Sequence, residues 1–217
     1  MPEGPRSRPF LHSSRAHIVT RTETAVSARR ASRGHLMPFA YYNRLTADQK
    51  RIYRASDAIE SIALPPLPAL GNDVGAIRVA LLDDDTRAAQ RACQRVADAL
   101  TEVCRVPPLR IRVLAQRPAD DYGELHGLYE PLEGRRRATI SVWMRTAKKR
   151  QVVAFKSFLR TLCHELCHHF DYEFFAFEET FHTDGFYKRE SSLANALLAS
   201  EALVPTQSTL NAPTPER

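Results

Sequence analysis

His164, Glu165 and His168 stand in the order H-E-x-x-H within "RTLCHELCHHFDYE", residues 160–173. On a helix, residues four apart share one face, so two imidazoles can offer nitrogens to one ion at the ~2.0 Å that zinc prefers. Glu165 then lies beside the ion without ligating it, placed to accept a proton from an activated water and to deliver one to a leaving amine. A catalytic zinc needs a third protein ligand and an open position for water. His182, 14 residues after His168 in "FHTDGF", is the expected third ligand on ligand preference and reach. Glu190, 22 residues after His168, is the carboxylate alternative, while Glu178, Glu179 and Asp184 read as solvated loop or helix-cap acids.

The neighbours of these residues have blander readings. Cys163 and Cys167 each precede a ligand and behave as small buried apolar groups. His169 points roughly 100° beyond His168, behind the ligands or to the surface. Asp171 either orients a ligand through a carboxylate–histidine hydrogen bond or sits on the surface at the helix end. His126 reads as an isolated loop residue.

The helix that carries the motif must bury one face, and Phe155, Leu159, Leu162 and Leu166 form an apolar stripe opposite His164 and His168. A following helix is predicted over "DGFYKRESSLANALLASEAL". Earlier in the chain, Thr46 and Gln49 form a capping box that opens a helix through "TADQKRIYRASDAIESI", with Ile52, Ala55, Ile59 and Ile62 at helical spacing. Pro65, Pro66 and Pro68 end it, and a turn-rich linker follows to about Gly75. "DDDTRAAQRACQRVADALTEVC" is a second helix, acidic at its start, with a stripe through Ala89, Cys93, Val96, Leu100 and Val103. "LRIRVLAQ" (109–116) and "RATISVWMRT" (137–146) are strands by β-branched content and partial alternation. "GLYEPLEGRRR" reads as another strand, ending in a turn at Gly134. The fold class is therefore α+β, a small mixed or antiparallel sheet with a hairpin ahead of the motif-bearing helix.

A chain of 217 residues that is 43% hydrophobic supports one well-cored domain with appendages. Residues 1–36 hold seven arginines against Glu3 and Glu23, whereas the remainder is nearly balanced, so the basicity belongs to the N-terminal segment. Without periodicity, 1–36 reads as a disordered basic arm that could make weak nucleic-acid contacts. Its composition superficially resembles a transit peptide, but plain disorder, or a true start at Met37, ranks above targeting. The four cysteines form neither a C-x-x-C pair nor a disulfide framework, which fits a cytoplasmic setting. No apolar stretch approaches the ~18 residues of a membrane span. The expected organisation is 1–36 arm, 37–75 helix and Pro-rich linker, 76–203 main domain, 204–217 polar tail.

"TLCHELCHH", "FHTDGF" and the preceding "GLYEP…RRATISVWMRT" together resemble the SprT-like zinc metalloprotease domain, a Spartan-related zincin family. The resemblance covers about residues 85–200. It implies a zincin-like fold, Zn²⁺ held by His164, His168 and His182, Glu165 as the catalytic base, and an aromatic four residues past the third histidine, as Phe186 is. Two departures stand out: Thr183 occupies a position where family members often have Gly, and no cysteine follows Cys167, so the zinc ribbon that many members carry is missing.

The expected function is a zinc metallopeptidase acting on a protein or peptide by a zinc-activated water. The substrate would pair with "ATISVWM" as an edge strand, and the oxyanion donor would come from Tyr172, Tyr187, Lys188 or Arg189. The competing readings are a non-catalytic zincin-like adaptor, which would use the basic arm with "RRR" (135–137) and "KKR" (148–150), and a zinc hydrolase of a non-peptide amide.

Overall fold

In the computed structural model, which describes residues 18–21, 39–120 and 123–203, the Gln49 N–H donates to Thr46 Oγ1 (3.2 Å) and the Thr46 N–H to Gln49 Oε1 (3.0 Å). This capping box opens α1 (Ala47–Asp57) as the sequence predicts. The helix stops at Asp57 rather than running on through Ile62, and Ala55 is exposed while Tyr53 and Ser56 are buried. Three prolines downstream weaken continuation, and the Ser56 carbonyl is diverted to a side chain described below.

The expected linker before Gly75 is corrected in part: α2 (Gly71–Leu82) begins inside it. Val74, Ile77, Ala80 and Leu81 are buried against neighbouring helices, while Val79 and Leu82 are exposed. Arg78 ties this helix to α5 (Asp184–Ala202) by a two-pronged ion pair to Glu201, both contacts at 2.6 Å. Asp85 caps α3 (Thr86–Cys104), accepting from the N–H groups of Arg87 and Ala88. The predicted stripe of α3 is buried except for Val103, which is exposed; Ala97, Thr101 and Cys104 complete the inner face.

The sheet runs in the order β1-β4-β5-β2. Its body is β2 (Arg110–Gln116), β4 (Gly123–Glu130) and β5 (Thr139–Arg145). β4 and β5 form the predicted antiparallel hairpin, turning near Gly134 at φ 57°, a left-handed conformation that glycine adopts without strain. β2 runs parallel to β5, so the sheet is mixed. Two-residue β3 (Ala119–Asp120) pairs with β4. The backbone of β1 (Ile18–Arg21) pairs antiparallel with β4, a strand where the sequence predicts only a disordered arm. The remainder of 1–36 and the tail 204–217 lie outside the described residues.

β5 is internal, not the expected edge, and five consecutive residues from Ile140 to Met144 are buried. Both of its faces are covered, which explains why "ISVWM" shows so little alternation. α4 (Phe155–Glu173) packs on β4, β5 and α5. Its stripe of Leu159, Leu162 and Leu166 is fully buried, and so is every other residue from Leu162 to Tyr172.

Arg189 joins three helices. Its side chain is completely buried and paired with the equally buried Asp171 (Nη2 to Oδ1, 2.8 Å). Nη1 donates to the carbonyls of Ser56 and Ile59 (both 2.6 Å), and Nη2 also to Ser56 Oγ (2.9 Å). The end of α1 is thereby sewn to α4 and α5, and the Gly185 N–H adds a bond to Asp57 Oδ1 (3.1 Å). Replacing Arg189 by Met leaves Asp171 as an uncompensated buried charge, so Arg189→Met should lower the unfolding free energy by about 3–5 kcal/mol, measured by urea denaturation. A change within a few tenths would mean that the ion pair is not holding α1 in place.

Candidate metal centre

α4 presents His164 and His168 on one face, and the loop that returns from Phe174 brings His182 to them just before α5. Their three Nε2 atoms lie 3.0 Å (His164 to His182), 3.2 Å (His168 to His164) and 3.2 Å (His182 to His168) apart. Four ligands on ~2.0 Å bonds in a tetrahedron sit about 3.3 Å from one another, so this spacing suits a metal ion. Among the described residues, His164, His168 and His182 are the group able to hold one. The ring of Phe186 closes the inner side, with centroids 4.9, 4.7 and 5.2 Å from those of His164, His168 and His182. His164 and His168 are buried and His182 is half-buried, which leaves the approach on the His182 side.

The outer partners fix which nitrogen carries each proton. His164 Nδ1 lies 2.8 Å from Glu190 Oε2. Burial alone would raise the Glu190 carboxyl, but hydrogen bonds from His164 and Arg160 (Nε to Oε1, 2.6 Å) overcome this and hold it below its ordinary value. An ionised carboxylate only accepts, so His164 Nδ1 donates to it, and in the neutral ring Nε2 is the acceptor that faces the cluster. His168 Nδ1 lies 3.0 Å from Thr180 Oγ1, whose single proton is given to Asp171 Oδ2 (2.7 Å). The hydroxyl can then only accept from His168, whose Nε2 is likewise a lone pair. The Nε2 atoms of His164 and His168 lie 3.2 Å apart, and with both rings neutral their lone pairs converge on the space that a cation would occupy.

Glu190 therefore lies behind His164, outside the three-histidine group, although the sequence left it as the alternative third ligand. Glu165 is fully buried on the same helix and lies over β4 at Gly127, where an added methyl would overlap its Oε1. Gly127 is thus the close approach that makes room for this carboxylate. Burial pushes the His182 imidazole down to about 4, helped by His164. His168 is lowered well below its ordinary value, again chiefly by burial and then by the other two histidines. Burial thus favours the neutral, metal-binding form of both rings.

The neighbouring residues are mostly enclosed. His169 is fully buried, not near the surface: its Nε2–H donates to the Pro107 carbonyl (2.9 Å), leaving Nδ1 to accept from the Tyr129 hydroxyl (3.1 Å). Asp171 is buried and reaches His168 only through Thr180. Burial raises its carboxyl to about 6 against the pull of Arg189 and Thr180, so it is ionised at neutral pH. His126 lies in β4 rather than a loop. The four cysteines are buried and free, and burial pushes the Cys93 thiol up to about 12, consistent with an apolar role. Of the candidate oxyanion donors, Arg189 is buried and committed, Tyr172 is buried, and Lys188 pairs with Glu60 and Asp184. Tyr187 is exposed, with its ring 5.9 Å from that of His182 and nearly parallel to it. Thr180 and Tyr41, whose hydroxyl donates to the His182 carbonyl (2.9 Å), were not singled out from sequence, where nothing local marks them.

Wild-type protein should carry one zinc per chain by elemental mass spectrometry and lose it in His182→Ala. Glu190→Ala should still load at excess zinc but with affinity reduced about 10- to 100-fold. Equal loss in both variants would return Glu190 to the ligand set. Because a proton competes with metal only where it can bind the imidazole, zinc should be retained on dialysis below pH 6.5 and released as the pH nears about 4. Release centred at 6.5 would contradict the burial of the ligands.

Compared with known proteins, the chain matches no protein family, no curated protein and no solved structure.

Proposed function

We propose that the protein is a zinc-dependent metallopeptidase of the zincin type, related to the SprT-like domains. The observation that carries this reading is the convergence of the ring nitrogens of His164, His168 and His182, with Glu165 next to His164 on the same helix. A three-imidazole set suits zinc among divalent metals. When bound, the metal would polarise a carbonyl and lower the pKa of a coordinated water toward ~7.

The remaining chemistry belongs to the chain. Glu165 takes the proton from the attacking water and returns it to the leaving amine. Its buried position between α4 and Gly127 restricts the carboxylate to few orientations, which favours a preorganised base. Tyr187, partly exposed with its ring beside that of His182, is the candidate donor to the developing oxyanion. β4, not β5, is the strand whose backbone passes Glu165. An extended peptide pairing with the outer edge of β4 would therefore have to compete with the chain's own Ile18–Arg21, which pairs there.

The test uses an unfolded protein such as casein with zinc-loaded enzyme. Glu165→Gln should retain zinc while hydrolysis falls about 10²- to 10⁴-fold. Gly127→Ala should also keep zinc but lose most activity, because its methyl displaces Glu165. Cleavage unaffected by Glu165→Gln, or none by the zinc-loaded wild type across a panel of unfolded substrates, would sink the peptidase reading. New non-peptide hydrolysis that still requires Glu165 would move the reading to another amide.

A further inference from the structure

The outer partners of the two α4 histidines are not alike. His164 meets a carboxylate directly, whereas His168 meets a hydroxyl that is itself bonded to a carboxylate. Thr180 lies in the loop after α4, two residues before His182, so one short segment supplies both a ligand and the partner of another. Its hydroxyl proton goes to Asp171 Oδ2 at 2.7 Å. Asp171 Oδ1 in turn accepts from Arg189 Nη2, and Arg189 holds the carbonyls of Ser56 and Ile59. A continuous line of hydrogen bonds therefore runs from the end of α1 to the ring of His168.

We infer that Thr180, oriented by Asp171, is a positioning residue that holds His168 in the metal-binding tautomer, and that Arg189 anchors this relay to α1. The reason is proton counting. With its one proton committed to a carboxylate, the Thr180 oxygen can only accept, so the His168 proton must sit on Nδ1 and the lone pair on Nε2. Without that oxygen, Nδ1–H would be a buried donor with no partner, and the ring would gain by moving its proton to Nε2 or by rotating. Either change removes a lone pair from the cluster. Segment 39–60 thereby becomes part of the metal centre: the Tyr41 hydroxyl bonds the His182 carbonyl at one end and Arg189 grips the Ser56 carbonyl at the other.

This inference rests on the three-histidine reading of the cluster, not on the peptidase reading. The experiment compares two pairs of full-length proteins, wild type against Thr180→Val and Thr180→Ser against Thr180→Ala. Within each pair the volume is nearly constant and the hydroxyl differs. Each protein is checked for folding by circular dichroism, its zinc affinity is measured by chelator competition, and the Co²⁺-substituted form is examined by visible absorption. The expected result is that affinity follows the hydroxyl: about 10- to 100-fold weaker binding in Val and Ala, with a changed Co²⁺ spectrum, and recovery of both in Ser. The Ser/Ala pair decides the matter should the Val variant fail to fold.

Affinity that tracks side-chain volume, or Val and Ala variants that melt earlier yet bind zinc as the wild type does, would overturn the relay. A wild type that binds zinc but cleaves nothing would leave the relay standing and remove the peptidase reading. A folded wild type that binds no zinc would overturn both.

Discussion

The structure depends on one constraint: α4 carries His164, Glu165, His168, His169 and Asp171 through a stretch where every residue is buried. Polar groups in such a place are costly unless each finds a partner. Much of the surrounding architecture supplies those partners. Pro107, just before β2, offers a carbonyl to His169, and β4 offers the Tyr129 hydroxyl. β4 also gives up a side chain at Gly127 so that Glu165 fits. The loop after α4 brings Thr180, and α5 brings Glu190 and Arg189. These bonds tie the strands, the loop and two flanking helices to the axis of one helix.

The same constraint explains why α1 is integral to the domain. Asp171 is ionised and enclosed, and its counter-ion Arg189 has more donors than one carboxylate can accept. The surplus on its two terminal nitrogens is taken up by the Ser56 and Ile59 carbonyls and the Ser56 hydroxyl, groups made available by the ending of α1 at Asp57, while the buried Nε has no partner. A longer α1 would engage the Ser56 carbonyl in its own ladder and leave the guanidinium underbonded. Gly185 permits the approach, since a methyl there would overlap the Asp57 carbonyl. The end of one helix, the start of another and a buried charge are mutually determined.

These relations mark the boundary of what the sequence alone could tell. The convergence of His164, His168 and His182 was legible because helical spacing and ligand chemistry are read over short stretches of sequence. So were the capping box at Thr46, the stripe of α3 up to Leu100, and the strands containing Ile111 and Ile140. α2 was missed because Gly71 and Gly75 signal a turn and the run from Ala76 to Leu82 is apolar on too many sides to show a helical period. The order of the strands was not legible either, since "ISVWM" looks the same whether its neighbours lie on one side or both. Least visible were the partners. Arg189 lies 133 residues from Ser56, and no local pattern links them, so Arg189 read as a candidate donor to substrate while serving as an internal anchor. Asp171 and His169 were undecided for the same reason: periodicity says which way a side chain points, not whether something covers it.

The partners of the ligand histidines also bear on what a metal would change. Glu190, Thr180 and the Tyr41 contact to the His182 carbonyl all come from the chain itself, and each is satisfied without an ion. The rings are therefore aimed before any metal arrives. A bound cation would engage the converging nitrogens and favour the folded form by mass action. In small zinc modules, by contrast, the ion is needed to assemble the fold at all. Here the hydrophobic core beneath α4, from Phe158 to Phe170, and the Asp171–Arg189 pair hold the helix in place independently. The metal would complete a site whose shape is set by the need to satisfy a buried polar helix.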